Sequence, residues 1–243
     1  MTPTFLEIVD SFADLRDERP FESDEWIERE RRKLWVDAPT INEPQGFKAT
    51  LTAFLNCVAF NDEHGPILDF GGGSGYLYFM LRHYLYKRET AWHVVDKPGL
   101  AELGLAFAKE NGPSNIQFFA NLEATRNNVY RIVHSSTTLQ YIDDAFGLLD
   151  ELLALRPKYF LLTRAKISFN QTFIVAQKVV GKLTPCRFMK LEELRDFVCA
   201  KDYELLFQNR AEEDIASQIA ATVGDHYRNV ASMNFFFARR SGR

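Results

Sequence analysis

The 243-residue sequence predicts an α/β protein with a mostly parallel, seven-stranded sheet, helices on both faces, and a helical segment at the N-terminus. Two observations predict this class. Short apolar, β-prone runs alternate with amphipathic helical runs along most of the chain. One such run, residues 67–70, passes directly into a glycine-rich turn and then into helix formers at residues 76–81. Strand, tight turn and helix form the unit from which open parallel sheets are built.

The composition limits the kind of protein. Apolar residues at 46% and charged residues at 26% are ordinary for a globular chain, and 21 Phe predict a large core. The net charge of −4 argues against a nucleic-acid partner. Without a membrane-spanning run or a signal peptide, the chain is predicted to be a cytoplasmic enzyme with no membrane partner. Cys57, Cys186 and Cys199 lack metal-ligand spacing, so no metal site is expected and the thiols are predicted to be reduced and mostly buried.

Residues 1–60 are predicted to form a helical cap or lid segment, and residues 61–243 the ligand-binding domain. A charged helix is expected at residues 23–35, with its charges on a solvated face. A more apolar helix is expected at residues 47–60, after a loop marked by Pro39 and Pro44. The first helix is predicted from apolar residues at helical spacing, which are Phe5, Ile8, Val9, Phe12 and Leu15.

The glycine-rich turn has the pattern D-x-G-x-G-x-G over residues 69–75. Glycine allows a sharp turn and lets a ligand lie against the backbone without a Cβ in the way. The turn therefore predicts a nucleotide-type cofactor site, with a purely structural turn as the alternative. A dinucleotide fingerprint would need Gly or Ala at position 76, where Tyr76 stands. The residues predicted to hold the cofactor here are Asp69, Gly71, Gly72, Gly73 and Gly75.

A second acid follows the next strand. Residues 91–95 are apolar and β-prone, and Asp96 ends them, 21 positions after Gly75. An acid about 20 residues beyond the glycines, at the tip of the second strand, is the expected holder of a ribose hydroxyl pair. Asp96 could also cap the helix that begins near Pro98, and the two roles are compatible.

The remaining strands complete the predicted sheet. Residues 165–188 are expected to be a long insertion near the acceptor site. The further strands are expected at residues 116–119, 129–136, 159–164, 203–207 and 232–237, with helices at residues 101–110, 146–155 and 191–198 between them.

The glycine pattern and the second acid resemble the first motif of the S-adenosylmethionine-dependent methyltransferase superfamily, which has a Rossmann-like fold. The resemblance implies that the glycines pass under the methionine part of the cofactor and that Asp69 steadies the loop and the amino end of the ligand. It also implies that Asn121 and Leu122 meet the adenine, although Asn after a strand is commonly a turn former. Leading helices often cover the cofactor in this superfamily; a simple packing role is the alternative for residues 1–60.

Four ordered segments resemble a narrower family of small bacterial proteins assigned as methyltransferases. They are Asp69-Phe70-Gly71-Gly72, residues 92–98 (WHVVDKP), residues 135–141 (SSTTLQY) and Arg164. The family shows DFGGSLG, WHVVE-x-P, SS-x-LQY and DRT segments. This sequence differs from the family at three points. It has Gly73-Ser74-Gly75 in place of SLG, Asp96 in place of Glu, and Thr163-Arg164-Ala165 in place of DRT. Without the acid of DRT, the end of the fifth strand lacks that catalytic candidate. An association of the family with surface-polysaccharide genes suggests a sugar hydroxyl as the acceptor.

Polar side chains at the end of the fourth predicted strand are expected near the methyl group. His134 is the candidate general base because it stands at the strand tip and imidazole is the side chain most often used for proton transfer. In an alternating strand His134 and Ser135 point to opposite faces, so a structural role for His134 stays open. Ser135 is expected to contact the cofactor, and Gln140 and Tyr141 to orient the acceptor.

The predicted reaction is in-line transfer of a methyl group from S-adenosylmethionine to a small-molecule or sugar acceptor, with oxygen as the favoured acceptor atom. Two alternatives remain: a protein that binds this cofactor without transfer, as a sensor or inactive partner, and a nicotinamide-dependent oxidoreductase, which Tyr76 disfavours. The acceptor and the oligomeric state are left open.

Overall fold

A computed structural model describes residues 4–15, 18–38, 46–60, 65–85, 90–111, 115–211 and 214–240. Within these residues the strands are β1 Thr4–Val9, β2 Ile67–Phe70, β3 Trp92–Val95, β4 Ile116–Phe119, β5 Ile132–Ser136, β6 Tyr159–Ser168, β7 Phe173–Val179, β8 Lys182–Lys190, β9 Tyr203–Arg210 and β10 Val230–Arg239. The helices are α1 Asp24–Arg32, α2 Phe47–Phe60, α3 Tyr76–Leu81, α4 Pro98–Glu110, α5 Ala145–Ala154, α6 Leu191–Cys199 and α7 Ile215–Thr222.

The central part of the sheet has the order β4-β3-β2-β5-β6-β10-β9. Strands β2 to β6 run parallel to one another, whereas β10 is antiparallel to both β6 and β9. The predicted α/β class and its mostly parallel sheet are confirmed. Parallel strands place all their carboxyl ends at one edge, so the loops after β2, β3, β5 and β6 meet there.

A second group of strands extends the sheet beyond the predicted seven. The end of β6 pairs in parallel with β8, and β7 and β1 follow as antiparallel neighbours. Of residues 165–188, expected as an insertion near the acceptor site, residues 165–168 continue β6 and the β7–β8 hairpin supplies most of the rest. Their role as an insertion near the acceptor stays a prediction. Gly181 turns that hairpin with a φ of +81°, in the left-handed region that glycine adopts without strain.

The start of the chain departs from the predicted helix. Residues Thr4–Val9 form β1, and Phe5 pairs with Gln177 of β7. The Phe5 side chain is buried in the core cluster that also contains Val175 and Phe188. Pairing with a distant strand therefore overrides the local helical spacing.

The next two predicted helices are confirmed. Ser23 caps α1, since its hydroxyl accepts from the Trp26 backbone N–H at 3.3 Å, and α2 covers residues 47–60. Pro39 and Pro44 lie outside the described residues. Of the three cysteines, Cys186 is buried but Cys57 is exposed, so the expectation of mostly buried thiols is only partly correct.

Two hydrophobic layers sandwich the sheet. On one face α5 and α6 pack against β5, β6 and β10 through residues such as Leu149 and Leu194. On the other face α2, α3 and α4 pack through residues such as Leu51, Phe79 and Phe107. Among the described residues, no helix combines the length and apolar character needed to cross a bilayer.

Close packing of α4 against the glycine loop makes one glycine of that helix a sensitive position. A Cβ on Gly104 would lie 2.5 Å from the Ser74 carbonyl oxygen and 2.4 Å from the Phe118 ring. Gly104→Ala should therefore lower the free energy of unfolding by about 1–3 kcal/mol, measured by urea denaturation.

Gly99→Ala is the matched control in the same helix. Its Cβ would meet only the Ile27 side chain, at 3.5 Å, an ordinary contact. We expect this variant to be neutral or up to about 1 kcal/mol more stable, because Ala favours helix. Equal losses in both variants would contradict the packing argument.

Candidate functional site

The glycine loop joins β2 to α3 at the carboxyl edge of the sheet. Gly71, Gly73 and Gly75 have φ values of +73°, +60° and +74°. A Cβ on Gly71 would stand 2.1 Å from the Thr138 hydroxyl oxygen, so only glycine fits there. At Gly73, in contrast, a Cβ would meet only the Glu30 carboxylate, at 3.5 Å, so the loop leaves room beside its backbone at this residue.

Asp96 lies beside this loop, at the end of β3. Its Oδ2 accepts from the Gly73 backbone N–H at 2.6 Å and its Oδ1 from the Lys97 N–H at 2.7 Å. Burial raises the pKa of the Asp96 carboxyl, the two backbone N–H groups oppose that rise, and the charges of Asp69 and Glu30 add to it. The N-cap of α4 is Lys97, so the alternative role of Asp96 as the capping residue is wrong.

Asp69, His134 and Thr163 form a buried hydrogen-bonded chain across β2, β5 and β6. His134 Nδ1 lies 2.8 Å from Asp69 Oδ1, and His134 Nε2 lies 2.8 Å from Thr163 Oγ1. The other oxygen of Asp69 accepts from Trp92 Nε1 at 3.3 Å. Asp69 and His134 are aligned in the parallel register of β2 and β5, which brings their side chains together.

The hydrogen bonds to Asp69 and Thr163 hold His134 beneath the candidate site. Its side chain is 2% exposed, and both ring nitrogens bond to sheet residues. A general base must come within hydrogen-bonding reach of the acceptor proton. To act as one, His134 would have to exchange Thr163 for an acceptor hydroxyl, and that role stays a prediction.

Ser135 and Gln140 are buried polar residues at the end of β5 and in the 3-10 turn Leu139–Tyr141. The Ser135 hydroxyl and both amide atoms of Gln140 have no hydrogen-bond partner among the described residues. Buried polar groups are nearly always satisfied, so an orphaned one calls for an explanation such as a ligand. The Tyr141 hydroxyl instead donates to Gln177 Oε1 at 2.9 Å.

The two residues expected at the adenine have structural partners. Asn121 Oδ1 accepts from the Ala124 backbone N–H at 3.0 Å, which is the turn-forming role that the sequence left open. Leu122 packs in the core with Val95 and Tyr130. Contact of either residue with adenine stays a prediction.

The N-terminal segment contributes a residue that was not predicted. Glu30 of α1 is 5% exposed and accepts from the Ser74 hydroxyl of the glycine loop at 3.4 Å. Glu30 also forms an ion pair with Lys33. A signal was available in the sequence, because Ile27, Glu30 and Leu34 share one helical face, and a carboxylate among apolar residues on that face is unusual.

The turn Pro20–Glu22 lies over the same edge. Glu22 forms an ion pair with Lys97, next to Asp96. The Phe21 ring packs between Trp26 and Tyr141, with centroid distances of 4.9 and 4.7 Å. The segment therefore connects the loop that carries Asp96 with the turn that carries Gln140.

No protein-family model matches the chain, and no curated protein sequence matches it. Solved structures do resemble it. Magnesium protoporphyrin IX methyltransferase from Synechocystis PCC 6803, with bound S-adenosylmethionine, has a TM-score of 0.54 at 14% identity, over 91% of this chain and 88% of that one.

Two further methyltransferases have similar folds. The 1,6-didemethyltoxoflavin-N1-methyltransferase from Burkholderia thailandensis, bound to its namesake compound and S-adenosylhomocysteine, has a TM-score of 0.54 at 13% identity, over 96% of this chain and 94% of that one. The CcbJ methyltransferase from Streptomyces caelestis has a TM-score of 0.52 at 14% identity, over 96% and 97%. This chain thus has the Rossmann-like fold that these methyltransferases share.

The buried chain through His134 predicts a stability effect. His134→Ala removes one of the partners of the buried Asp69 carboxylate and leaves Thr163 without its imidazole. We expect the free energy of unfolding to fall by about 1–3 kcal/mol in urea denaturation.

The control is His226→Ala, in an exposed 3-10 turn, Asp225–Tyr227. That variant should stay within about 0.5 kcal/mol of the parent. A His134→Ala variant as stable as the control would contradict a structural role for the Asp69–His134–Thr163 chain.

Proposed function

We propose that the protein is an S-adenosylmethionine-dependent methyltransferase that acts on a small-molecule acceptor, with oxygen as the favoured acceptor atom. The position of Asp96 beside the glycine loop carries this proposal. Each carboxylate oxygen accepts one backbone N–H, from Gly73 and from Lys97. A carboxylate offers about four lone-pair sites, so both oxygens can also accept ribose hydroxyls.

The glycine loop suits the rest of such a cofactor. Bare backbone at Gly73 allows close approach of the methionine part. The nearby carboxylates of Asp69, Asp96 and Glu30 favour a ligand with positive charge, as a sulfonium and an ammonium group have. When bound, S-adenosylmethionine supplies an activated methyl group.

The protein's task in such a transfer is mainly to position the reacting groups. Holding an acceptor atom in line with the methyl group can contribute up to about 7–11 kcal/mol. The unpartnered Ser135 hydroxyl and Gln140 amide are the buried polar groups at the carboxyl edge that are suited to this purpose. A hydroxyl acceptor must also lose a proton, and His134 is the residue proposed to receive it.

Binding without transfer is the second candidate. The engagement of both His134 nitrogens with Asp69 and Thr163 favours it. Incubation with S-adenosylmethionine labelled in its methyl group, against a panel of sugars and small hydroxylated metabolites, separates the two. Labelled product supports the transferase; cofactor binding with no labelled product from any acceptor supports the binding protein.

Replacing the ribose-binding acid tests the cofactor assignment. Asp96→Asn removes a charged acceptor, and hydrogen bonds to charged groups contribute about 1.5–3 kcal/mol. We therefore expect calorimetric titration to show S-adenosylmethionine binding weakened about 10- to 150-fold.

Asp225→Asn is the control, since Asp225 lies in an exposed turn and pairs with Arg228, three residues away. Its affinity should equal that of the parent protein. Undiminished affinity in Asp96→Asn would contradict the proposed ribose contact. A parent protein that binds NAD but neither S-adenosylmethionine nor S-adenosylhomocysteine would overturn the proposed function.

The raised pKa of Asp96 predicts a pH dependence. The ionised carboxylate is the better acceptor for ribose hydroxyls, so affinity should fall as the pH drops and Asp96 takes up a proton. Because burial raises the pKa above the ordinary 3.8, this loss should begin at a higher pH than an exposed aspartate would give.

Titrations with S-adenosylhomocysteine at successive pH values, within the range where the protein stays folded, measure this loss. The Asp96→Asn variant should show a flatter acid limb. Identical pH profiles for the parent and the variant would assign the dependence to another group.

A further inference from the structure

Glu30 is a buried carboxylate that reaches the glycine loop from outside the sheet. It lies in α1 and is 5% exposed, and its Oε2 accepts from the Ser74 hydroxyl at 3.4 Å. A Cβ on Gly73 would meet this same oxygen, at 3.5 Å. Glu30 Oε2 therefore borders the space beside Gly73, where the proposed function places the methionine part of the cofactor.

Asp69, the acid at the start of the loop, packs against another part of it. A Cβ on Gly72 would lie 2.6 Å from Asp69 Oδ2, so no space separates this carboxylate from the loop. Its two oxygens bond to His134 and Trp92. Of these two acids, Glu30 is the one with an oxygen beside the open face of Gly73.

Lys33 places a positive charge next to this carboxylate. The two side chains form an ion pair in which Glu30 is 6% exposed and Lys33 is 30% exposed. Lys33 Nζ also lies 5.9 Å from the centre of the Tyr76 ring, and Tyr76 directly follows the glycine loop. The pair thus presents a negative and a positive group side by side next to the loop.

A second lysine adds positive charge on the Lys33 side. Lys48 Nζ of α2 lies 5.0 Å from the centre of the same Tyr76 ring. Burial lowers the pKa of the Lys48 ammonium group, and the charge of Lys33 lowers it further. Arg164 acts in the same direction, and Asp37 opposes it. Because neighbouring like charges repel, an anionic group beside Lys33 and Lys48 would be stabilised.

We propose that Glu30 and Lys33 bind the amino-acid end of S-adenosylmethionine, Glu30 its ammonium group and Lys33 its carboxylate. This inference rests on the proposed function. The amino-acid end carries one charge of each sign, as the ion pair does. A carboxylate offers about four lone-pair sites and a lysine ammonium three donors, so each side chain can bind its opposite charge and keep the ion pair. The N-terminal segment would thereby distinguish this cofactor from a neutral nucleoside.

Ligands that lack one charged group test each contact by calorimetry. They are S-adenosylhomocysteine, its analogue without the amino group and its analogue without the carboxyl group. Glu30→Gln should weaken binding of S-adenosylhomocysteine about 10- to 150-fold and leave the affinity for the amino-free analogue unchanged. Lys33→Met should weaken binding of S-adenosylhomocysteine about two- to fivefold, as expected for a partly exposed charge, and leave the affinity for the carboxyl-free analogue unchanged.

Glu28→Gln is the matched control in the same helix. The Glu28 side chain is 74% exposed and pairs with Arg31 at 3.4 Å. This variant should bind all three ligands as the parent protein does. Glu30→Asp keeps the charge but shortens the side chain, and it carries the test if Glu30→Gln fails to fold. It should weaken binding of S-adenosylhomocysteine and spare the amino-free analogue.

Two results would overturn the role of Glu30 alone. One is a Glu30→Gln variant that binds S-adenosylhomocysteine as tightly as the parent does. The other is an equal loss of affinity for S-adenosylhomocysteine and the amino-free analogue, which would show that Glu30 acts only by holding Ser74 and the loop. Equal losses for S-adenosylhomocysteine and the carboxyl-free analogue in Lys33→Met would overturn the carboxylate contact. A parent protein that binds none of the three ligands would instead overturn the proposed function, and this inference with it.

Discussion

The buried hydrogen bonds that join Asp69, His134 and Thr163 tie together the three strands on which the candidate site depends. A carboxylate inside a sheet is tolerated only when partners satisfy it, and losing one leaves a costly buried charge. The aligned register of β2 and β5 supplies the imidazole, and Trp92 of β3 supplies an indole N–H to the other oxygen. Four neighbouring strands are thereby fixed relative to one another directly below the glycine loop.

The buried polar groups at the carboxyl edge fall into two sets, those with hydrogen-bond partners and those without, and the two sets suggest different roles. Asp69, His134 and Thr163 satisfy one another and hold the loop in place. Ser135, Gln140 and the Gln177 amide nitrogen are buried without partners among the described residues. Since an unmade buried hydrogen bond costs about 1–3 kcal/mol, the second group marks where a ligand would repay that cost. Under the proposed function, stability and ligand recognition fall to different side chains of one edge.

The N-terminal segment is part of both sides of this edge. Strand β1 extends the sheet beside β7, and the Glu18 carboxylate accepts from the Leu183 backbone N–H of β8 at 2.6 Å. Further along the segment, Glu22 forms an ion pair with Lys97, and Glu30 accepts a hydrogen bond from Ser74 of the glycine loop. The segment consequently contacts both the β7–β8 hairpin and the loop that carries Asp96. A domain boundary at residue 60 remains a prediction, but the first strand packs as part of the sheet.

Local patterns in the sequence determined the glycine loop, the second acid and most strands and helices. Turn chemistry and periodicity act over a few residues, and the spacing from Gly75 to Asp96 reflects one strand–helix–strand unit. Only the tertiary structure decided the strand at Thr4–Val9, the β7–β8 hairpin and the engagement of His134. Each depends on partners far away in the chain: β1 pairs with a strand about 170 residues later, and His134 bonds to residues from two other strands. Such contacts leave no periodic pattern in the sequence near the residues that make them. They form only when the strands take their places in the sheet.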